Sequence, residues 1–333
     1  MHFDFFFGYC SGESGAGKTE ATKQCLNYLA FLAGSANGIQ SKILKASPIL
    51  EAWGNAKTLR NNNSSRFGKF IEIWFDSNYT ITGSSNTTYI LEKSRVVFQE
   101  KDERNYHVFY QLLRGASPDL LKQLELTELS AEPDEARFIN QSGCIQIENV
   151  DDAADFKEVN EAFGEIGFTA DEQTSLYTIV AGILHLGNVT FIENPSNSEE
   201  SIIPAEHWQW LHRAARQLGV DTTFIERALL HKQIRSGGNA KRMSIAYAAY
   251  KPHAAYENRN ALAKEIYRRC FDYIVGRINA LMENDKDQAV NMIGILDIFG
   301  FEIFQRVSVI SFSYPWSVNT FTLMCTALFH FHF

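Results

Sequence analysis

The 333-residue sequence has only five cysteines, and none is spaced for metal binding or disulfide exchange. They are scattered along the chain as Cys10, Cys25, Cys144, Cys270 and Cys325. Without C-x-x-C pairs, the sequence disfavours a zinc site, a dithiol redox motif and a disulfide framework. We therefore expect reduced thiols that fill the core, as is usual in the cytosol.

The sequence also lacks a basic run, an internal repeat and an apolar stretch long enough to cross a bilayer. A net charge of −8 argues against nucleic acid as a partner. The N-terminus has no basic start of the kind found in signal peptides. Residues 307–333 contain no Asp, Glu, Lys or Arg, but Ser, Pro, Asn and Thr interrupt them, so no transmembrane segment is predicted.

The composition, with 45% hydrophobic and 21% charged residues, is that of a globular protein able to bury a sizeable core. Apolar residues recur with helical spacing over Thr19–Ala33, Asp171–Leu186 and Ala254–Glu283. Strands are predicted over Phe67–Asp76 and Val290–Asp297. The pattern indicates an α/β fold with a mostly helical middle section.

Three further predictions rest on turn-forming residues. A turn at Ser47-Pro48 is expected to precede a short helix that reaches Thr58. Gly83–Asn86 is expected to be the turn of a hairpin, and Asn194–Ser201 is expected to be a polar loop.

One motif fits the phosphate-binding pattern G-x-x-x-x-G-K-[ST] at every specified position: Gly12-Glu13-Ser14-Gly15-Ala16-Gly17-Lys18-Thr19. Its glycines allow the backbone to aim several N–H groups at one phosphate, and the following helix adds its positive end. Lys18 is suited to the β- and γ-phosphates, and the Thr19 hydroxyl to Mg²⁺. Phe5-Phe6-Phe7 is the candidate for the strand that should lead into this loop.

Two later segments complete a nucleotide-switch pattern. Asn61-Asn62-Asn63-Ser64-Ser65-Arg66-Phe67-Gly68-Lys69 is a cluster of polar donors directly before a strand. Asp297-Ile298-Phe299-Gly300-Phe301-Glu302 follows a strand, and an Asp at a strand end can order Mg²⁺ and its waters. Each segment alone is compatible with an ordinary surface loop, whereas the three motifs together predict a nucleotide switch.

With these motifs in this order, the sequence resembles the myosin motor domain from about Ser11 to Gln305. Arg66 is followed by Phe67-Gly68, as in myosins, and not by the Ser-His of kinesins. Further blocks that are similar to the family in family order are Pro48–Thr58, Leu91–Val97, Glu103–Leu113, Ile183–Asn188 and Ala261–Lys264.

The resemblance implies a P-loop NTPase core with a central mixed β-sheet and a large, mostly helical insert that forms the upper actin-binding subdomain. It implies ATP and Mg²⁺ as ligands. The implied ATP contacts are Gly12, Glu13, Ser14, Gly15, Ala16, Gly17, Lys18, Thr19, Asn61 and Asn63. The implied ligands of Mg²⁺ are Thr19 and Ser65, with Asp297 acting on its waters. The implied catalytic set is Lys18, Ser64, Arg66, Gly300 and Glu302.

Within the catalytic set, the resemblance gives each residue a role. Ser64 would position the attacking water, and the Gly300 N–H would hold a γ-phosphate oxygen. Arg66 and Glu302 would pair across the two switches and close the pocket, so that hydrolysis depends on conformation.

Ser244 lies sixteen residues before Asn260 and follows Lys241-Arg242-Met243. In myosins this spacing marks an actin-facing loop that carries an acid or a phosphorylatable residue. A hydroxyl here resembles class I and class VI myosins, in which a phosphate would supply the negative charge. An ordinary loop serine is the alternative.

The resemblance divides the chain into 11–45 (phosphate loop and following helix), 46–305 (both switches and the upper actin-binding subdomain) and 306–333. We expect residues 1–10 and 306–333 to be non-family sequence and the motor to be truncated at both ends. The expected function is an actin-activated Mg-ATPase of the cytoplasmic actin cytoskeleton, with light chains only in a full-length form. The alternatives are an inactive fragment that binds nucleotide or actin, and a gene-model product that does not fold.

Overall fold

A computed structural model describes residues 4–10, 16–33, 38–236, 244–282 and 289–298. These residues belong to one unit, Met1–Gly300, and residues 301–333 lie outside the description. The strands of the described part are β1 (Asp4–Cys10), β2 (Asn55–Ala56), β3 (Ser64–Ser65), β4 (Gly68–Phe75), β5 (Ile81–Tyr89), β6 (Ile192–Asn194), β7 (Asn197–Ile202), β8 (His231–Ser236), β9 (Ser244–Ala249) and β10 (Asn291–Asp297).

The helices of the described part lie mostly between β5 and β10. They are α1 (Lys18–Leu32), α2 (Ile39–Gly54), α3 (His107–Gly115), α4 (Pro118–Gln123), α5 (Thr127–Ala131), α6 (Asp152–Ile166), α7 (Ala170–Gly187), α8 (Trp208–Gln217), α9 (Thr222–Leu230) and α10 (Pro252–Met282).

A mixed four-stranded sheet in the order β1-β10-β4-β5 forms the base of the fold. β1 runs parallel to β10, whereas β4 is antiparallel to both β10 and β5. The expected strand at Phe5–Phe7 is confirmed, and it continues through Gly8 to Cys10 because β10 pairs with it along its whole length. The strand predicted over 67–76 is confirmed as β4, and its alternating residues Ile71, Ile73 and Phe75 are buried.

The helical section between β5 and β10 packs around α10. Its Tyr267 stacks on Tyr106 and Phe109, and the Tyr267 hydroxyl donates to the Trp53 carbonyl at 2.8 Å. α7 begins with a capping box in which Thr169 and Glu172 satisfy each other's backbone N–H groups. The long helices predicted at 171–186 and 254–283 are confirmed as α7 and α10, with ends shifted by one or two residues.

The turn predicted at Ser47-Pro48 is wrong, because Pro48 lies inside α2. Its ring removes one backbone hydrogen bond of the helix, a cost that usually ends a helix. Here both sides of the proline are packed into the core, where Ile43, Ile49 and Trp53 are buried. Tertiary burial therefore maintains a helix that the local sequence disfavours.

The hairpin turn predicted at Gly83–Asn86 is also wrong, because these residues lie within β5. The turn is at Asp76–Thr80, where Asp76 Oδ1 accepts hydrogen bonds at 2.8 Å from the N–H groups of Asn78 and Thr80. Gly83 is needed for packing, since a Cβ there would lie 2.8 Å from the Trp74 ring.

The polar loop predicted at 194–201 is a hairpin of β6 and β7. Most of its side chains are exposed, which explains the polar sequence. Asn194 Oδ1 accepts from the Ser196 N–H at 3.0 Å and so forms the turn between the two strands. Polarity correctly indicated contact with water but not the absence of strands.

Candidate functional site

Two strand ends define one edge of the main sheet. Cys10 at the end of β1 is paired with Asp297 at the end of β10, and Asp297 is also paired with Lys69 near the start of β4. The carboxyl ends of parallel strands are the usual ligand-binding edge of an α/β sheet. The three sequence motifs are thus connected to the same edge.

The end of the phosphate motif lies at the start of α1. Gly17 has φ 85°, a left-handed conformation that favours glycine, and it directly precedes Lys18. The Thr22 hydroxyl donates to Cys10 Sγ at 3.6 Å and ties the first turn of α1 to the end of β1. The N-terminus of α1 is therefore held beside the sheet edge, where its positive end can face an anion.

The two hydroxyls predicted to bind Mg²⁺ are adjacent. Thr19 Oγ1 and Ser65 Oγ lie 3.2 Å apart although they are 46 positions apart in the sequence. Ser65 is brought there by the antiparallel pairing of β2 with β3, in which Asn55 faces Ser65 and Ala56 faces Ser64. The structure thus brings together the first and second motifs.

The Asn-rich segment is fixed mainly through Asn63. Its Nδ2 donates to Glu51 Oε2 at 2.9 Å, and its Oδ1 accepts from Asn55 Nδ2 at 2.9 Å. His107 Nε2 contacts the same Oδ1 at 3.2 Å. Asn61 Oδ1 accepts from the Asn63 N–H at 2.9 Å, which shapes the loop locally.

His107 and Glu51 have no role in the sequence-based prediction, although both lie within blocks that resemble the family. No spacing rule connects them to Asn63, because α2 and α3 bring them there. Burial, followed by the charge of Arg104, lowers the pKa of His107 to about 3. His107 is therefore neutral at physiological pH, and its Nε2 contact with Asn63 is one between neutral groups.

Ser64 and Arg66 lie next to each other at the end of the same segment. Ser64 is buried, and Arg66 Nη1 donates to its Oγ at 3.3 Å. Arg66 Nε donates to Glu92 Oε2 at 2.6 Å, and Arg95 Nε donates to the same oxygen at 2.8 Å. Glu92 is a further residue that the sequence analysis missed.

Lys69 and Asp297 are both buried and are paired in the register of β4 and β10 at the sheet edge. Burial lowers the pKa of Lys69, and the charges of Asp297 and Glu51 oppose this shift. The role of Asp297 in ordering a hydrated cation stays a prediction. The sequence identified Asp297 but gave no role to Lys69.

Several predicted site residues lie outside the described part of the chain. They are Gly12, Glu13, Ser14, Gly15, Gly300 and Glu302. The pairing of Arg66 with Glu302 therefore stays a prediction. For Ser244 only the backbone is described, and it pairs with Ser236 at the end of the β8–β9 ribbon where the two strands are connected in sequence through residues 237–243.

The donor set fits a magnesium–phosphate group. Mg²⁺ is commonly held by few protein oxygens together with phosphate oxygens and water, and two neutral hydroxyls 3.2 Å apart can supply such a share. The helix N-terminus after Gly17 and the Lys18 side chain provide the positive field that phosphates need. Asp297 adds negative charge at the same sheet edge.

A helix entered through a left-handed glycine, at the carboxyl edge of a parallel strand pair, is the arrangement expected of a phosphate-loop nucleotide-binding fold. Comparison with known families is more specific. The family model described as "Myosin head (motor domain)" matches residues 9–316. The chain therefore belongs to the myosin motor-domain family. This match begins before Ser11 and continues past Gln305, where the motif-based resemblance ends, so residues 306–316 are inside the matched span.

Individual relatives agree with the family match. The chain is 44% identical over 301 residues to the myosin ID heavy chain of Dictyostelium discoideum. The aligned region is 89% of this chain and 27% of that relative. It is 42% identical to myosin heavy chain IB of Acanthamoeba castellanii, over 89% of this chain and 24% of the relative. It is 45% identical to unconventional myosin-Vb of Homo sapiens, over 89% of this chain and 15% of the relative.

The chain thus spans about a quarter or less of the length of these relatives. No helix in the described part of the chain is both long and apolar enough to cross a membrane.

Proposed function

We propose that this chain carries the nucleotide-hydrolysing part of an actin-based motor. Its substrate would be Mg-ATP, bound where the phosphate motif meets the Asn61–Arg66 segment. The single observation that carries this proposal is the 3.2 Å contact between Thr19 Oγ1 and Ser65 Oγ. Two hydroxyls from distant motifs, placed together at a helix N-terminus, are suited to binding Mg²⁺ together with nucleotide phosphates.

Each group at the site has a proposed task in binding. Lys18 and the N–H groups of the phosphate motif would hold the β- and γ-phosphates. Asn61 and Asn63 would contact the nucleotide from the opposite side, in a segment that Glu51 and His107 fix through Asn63. Thr19 and Ser65 would bind Mg²⁺, which neutralises charge on the phosphates when the substrate is bound.

Hydrolysis would depend on the orientation of a water molecule. Ser64 is buried and in contact with Arg66, so its hydroxyl has a restricted orientation suited to holding that water. Gly300 would donate its N–H to a γ-phosphate oxygen, and Glu302 would pair with Arg66 on closure. Phosphoryl transfer to water needs positioning and charge stabilisation more than it needs a strong base.

The β8–β9 ribbon is the proposed actin-facing element, and its partner would be the actin filament. Ser244 lies at the end of this ribbon, and in the sequence one residue, Met243, separates it from the basic Lys241-Arg242 pair, which suits a basophilic kinase. Phosphorylation would add about two negative charges there. If Ser244→Ala leaves kinase-dependent, actin-activated ATPase intact, the regulatory role is refuted.

In cells we expect the chain at the cytoplasmic actin cytoskeleton, with light chains only in a longer form of the protein. The alternative is a module that binds nucleotide or actin without turnover. The same experiment separates the two proposals.

The test is Mg-ATPase activity of the purified chain with and without filamentous actin, alongside titration with a fluorescent ATP analogue. Thr19→Ala and Ser65→Ala are each expected to lower turnover at least about tenfold, equivalent to about 1.4 kcal/mol of transition-state stabilisation. Thr174→Ala is the matched control, because this exposed hydroxyl only donates to the Ala170 carbonyl of its own helix.

Three outcomes distinguish the proposals. Turnover that rises with actin and falls in both hydroxyl variants supports the motor. Nucleotide binding without turnover supports the binding module. Turnover that is equally low in Thr174→Ala, or unchanged in Thr19→Ala and Ser65→Ala, would contradict the assigned site.

A further inference from the structure

Four charged side chains of alternating sign connect Arg66 to the interior. Arg66 Nε donates to Glu92 Oε2 at 2.6 Å, and Arg95 Nε donates to the same oxygen at 2.8 Å. Arg95 Nη1 then donates to Glu103 Oε2 at 2.8 Å. We call Arg66, Glu92, Arg95 and Glu103 the charge chain.

The charge chain holds both ends of the Asn-rich segment. At one end, Glu103 Oε1 accepts from the Leu59 N–H at 3.4 Å. At the other end, the Glu92 N–H donates to the Arg66 carbonyl at 3.0 Å, in addition to the side-chain contact. Residues 59 and 66 bracket Asn61, Asn63 and the two switch serines, so the charge chain fixes the ends of the loop that contacts substrate.

Glu92 is the centre of this arrangement. Its carbonyl accepts from the buried Tyr106 hydroxyl at 2.8 Å, so its backbone is held from the core side. The Arg95 side chain is only 4% exposed and the Arg66 side chain 12% exposed, so both ion pairs are partly shielded from water. Burial raises the pKa of Glu92, but Arg95 and Arg66 more than offset this, so the pKa is lowered and the group stays ionised.

The geometry points to Glu92 as a positioning residue of the hydrolytic reaction. It binds the Nε side of the Arg66 guanidinium and so fixes the direction of the Nη side. Nη1 is thereby left in contact with Ser64 Oγ at 3.3 Å. In this role Glu92 acts through Arg66 and not directly on the substrate. The inference rests on the proposed hydrolytic function of Ser64 and Arg66.

Glu92→Gln tests the role because it keeps the size of the side chain and removes its charge. We expect single-turnover hydrolysis of ATP to fall at least tenfold, while the Kd for a fluorescent ATP analogue changes less than threefold. Glu92→Asp, which keeps the charge, is expected to recover part of the rate. Glu100→Gln removes the same charge from a nearby exposed position and is expected to behave as wild type.

A double-mutant cycle with Arg66→Ala separates positioning from general stability. If Glu92 acts through Arg66, then Glu92→Gln has no further effect on the rate in the Arg66→Ala background. Additive losses, or equal losses of affinity and rate, would overturn the inference.

Hydrogen exchange gives a readout that does not depend on nucleotide. In Glu92→Gln, amides of residues 57–66 are expected to exchange at least tenfold faster, while those of β4 are unchanged. Unchanged exchange over 57–66 overturns the inference even if the chain hydrolyses ATP. If the wild-type chain shows no turnover, the proposed function is refuted, but the role of Glu92 in fixing the loop is still decided by the exchange result.

Discussion

Removing Asp152 should lower the free energy of unfolding, because it leaves the buried Arg104 without its charged partner. Arg104 is 0% exposed, and its Nη2 donates to both carboxylate oxygens of Asp152 at 2.9 Å. Its Nε and Nη1 have no hydrogen-bond partner among the described residues, and the guanidinium lies 3.6 Å from the centre of the Tyr110 ring. Asp152 is therefore the main compensation for this charge.

The magnitude follows from the burial of the pair. Burial raises the pKa of Asp152 despite the opposing charge of Arg104, so the desolvation penalty of the carboxylate is larger than the stabilisation from the ion pair. Asp152→Ala leaves Arg104 buried without this partner, and we expect a loss of about 3–5 kcal/mol in the free energy of unfolding. Replacing both members with apolar residues, as in Arg104→Met with Asp152→Leu, should bring stability back to within about 2 kcal/mol of wild type or above it.

The assay is urea denaturation followed by circular dichroism and tryptophan fluorescence. Asp155→Ala is the control, because it removes an acid from the same first turn of α6 and should cost only about 0.3–1 kcal/mol. A loss of less than about 1 kcal/mol in Asp152→Ala, or a double variant less stable than Asp152→Ala alone, would refute the reasoning.

Three further predictions concern stability. The pKa of His107 is lowered to about 3 in the folded chain, so between pH 6.5 and pH 3 only the unfolded chain binds a proton at this residue. This group should therefore lower the free energy of unfolding by about 1.4 kcal/mol for each unit that the pH falls in this range. His107→Gln should remove that slope, which urea titrations at several pH values would measure. Gly187→Ala should lower the free energy of unfolding by about 1–3 kcal/mol, because its Cβ would lie 2.7 Å from the Phe138 ring. Gly164→Ala, in open space within α6, should raise it by about 0.5–1 kcal/mol. Equal midpoints of the two variants in thermal unfolding would contradict this. Tyr267→Phe should cost about 1 kcal/mol through the lost hydrogen bond to a buried carbonyl, and an unchanged free energy of unfolding would argue against that bond.

Local chemistry was sufficient for much of the site. The order of residues in the phosphate motif predicted a loop followed by a helix, and α1 begins at Lys18 as expected. Asp297 was identified because it follows an apolar strand, and β10 ends at this residue. These features depend on neighbours within a few positions, so the sequence pattern is enough to predict them.

Turn residues were less reliable guides. Pro48 and Gly83 are common in turns, but here they lie within a buried helix and a packed strand. In both cases burial against distant elements decides the conformation, and no local signal shows which neighbours will be present. The polar residues of β6 and β7 predicted a loop for a different reason, because an exposed hairpin and an exposed loop share the same polar composition.

The sequence by itself determined which chemical groups are predicted to meet a phosphate: the glycines of the phosphate motif, Lys18, Thr19, the switch serines and Asp297. Only the tertiary structure decided how they are held. Glu92 reaches Arg66 across 26 positions, and His107 reaches Asn63 across 44. Such pairings depend on how β2, β3 and α3 pack together, and a sequence pattern, which is local, does not carry that information.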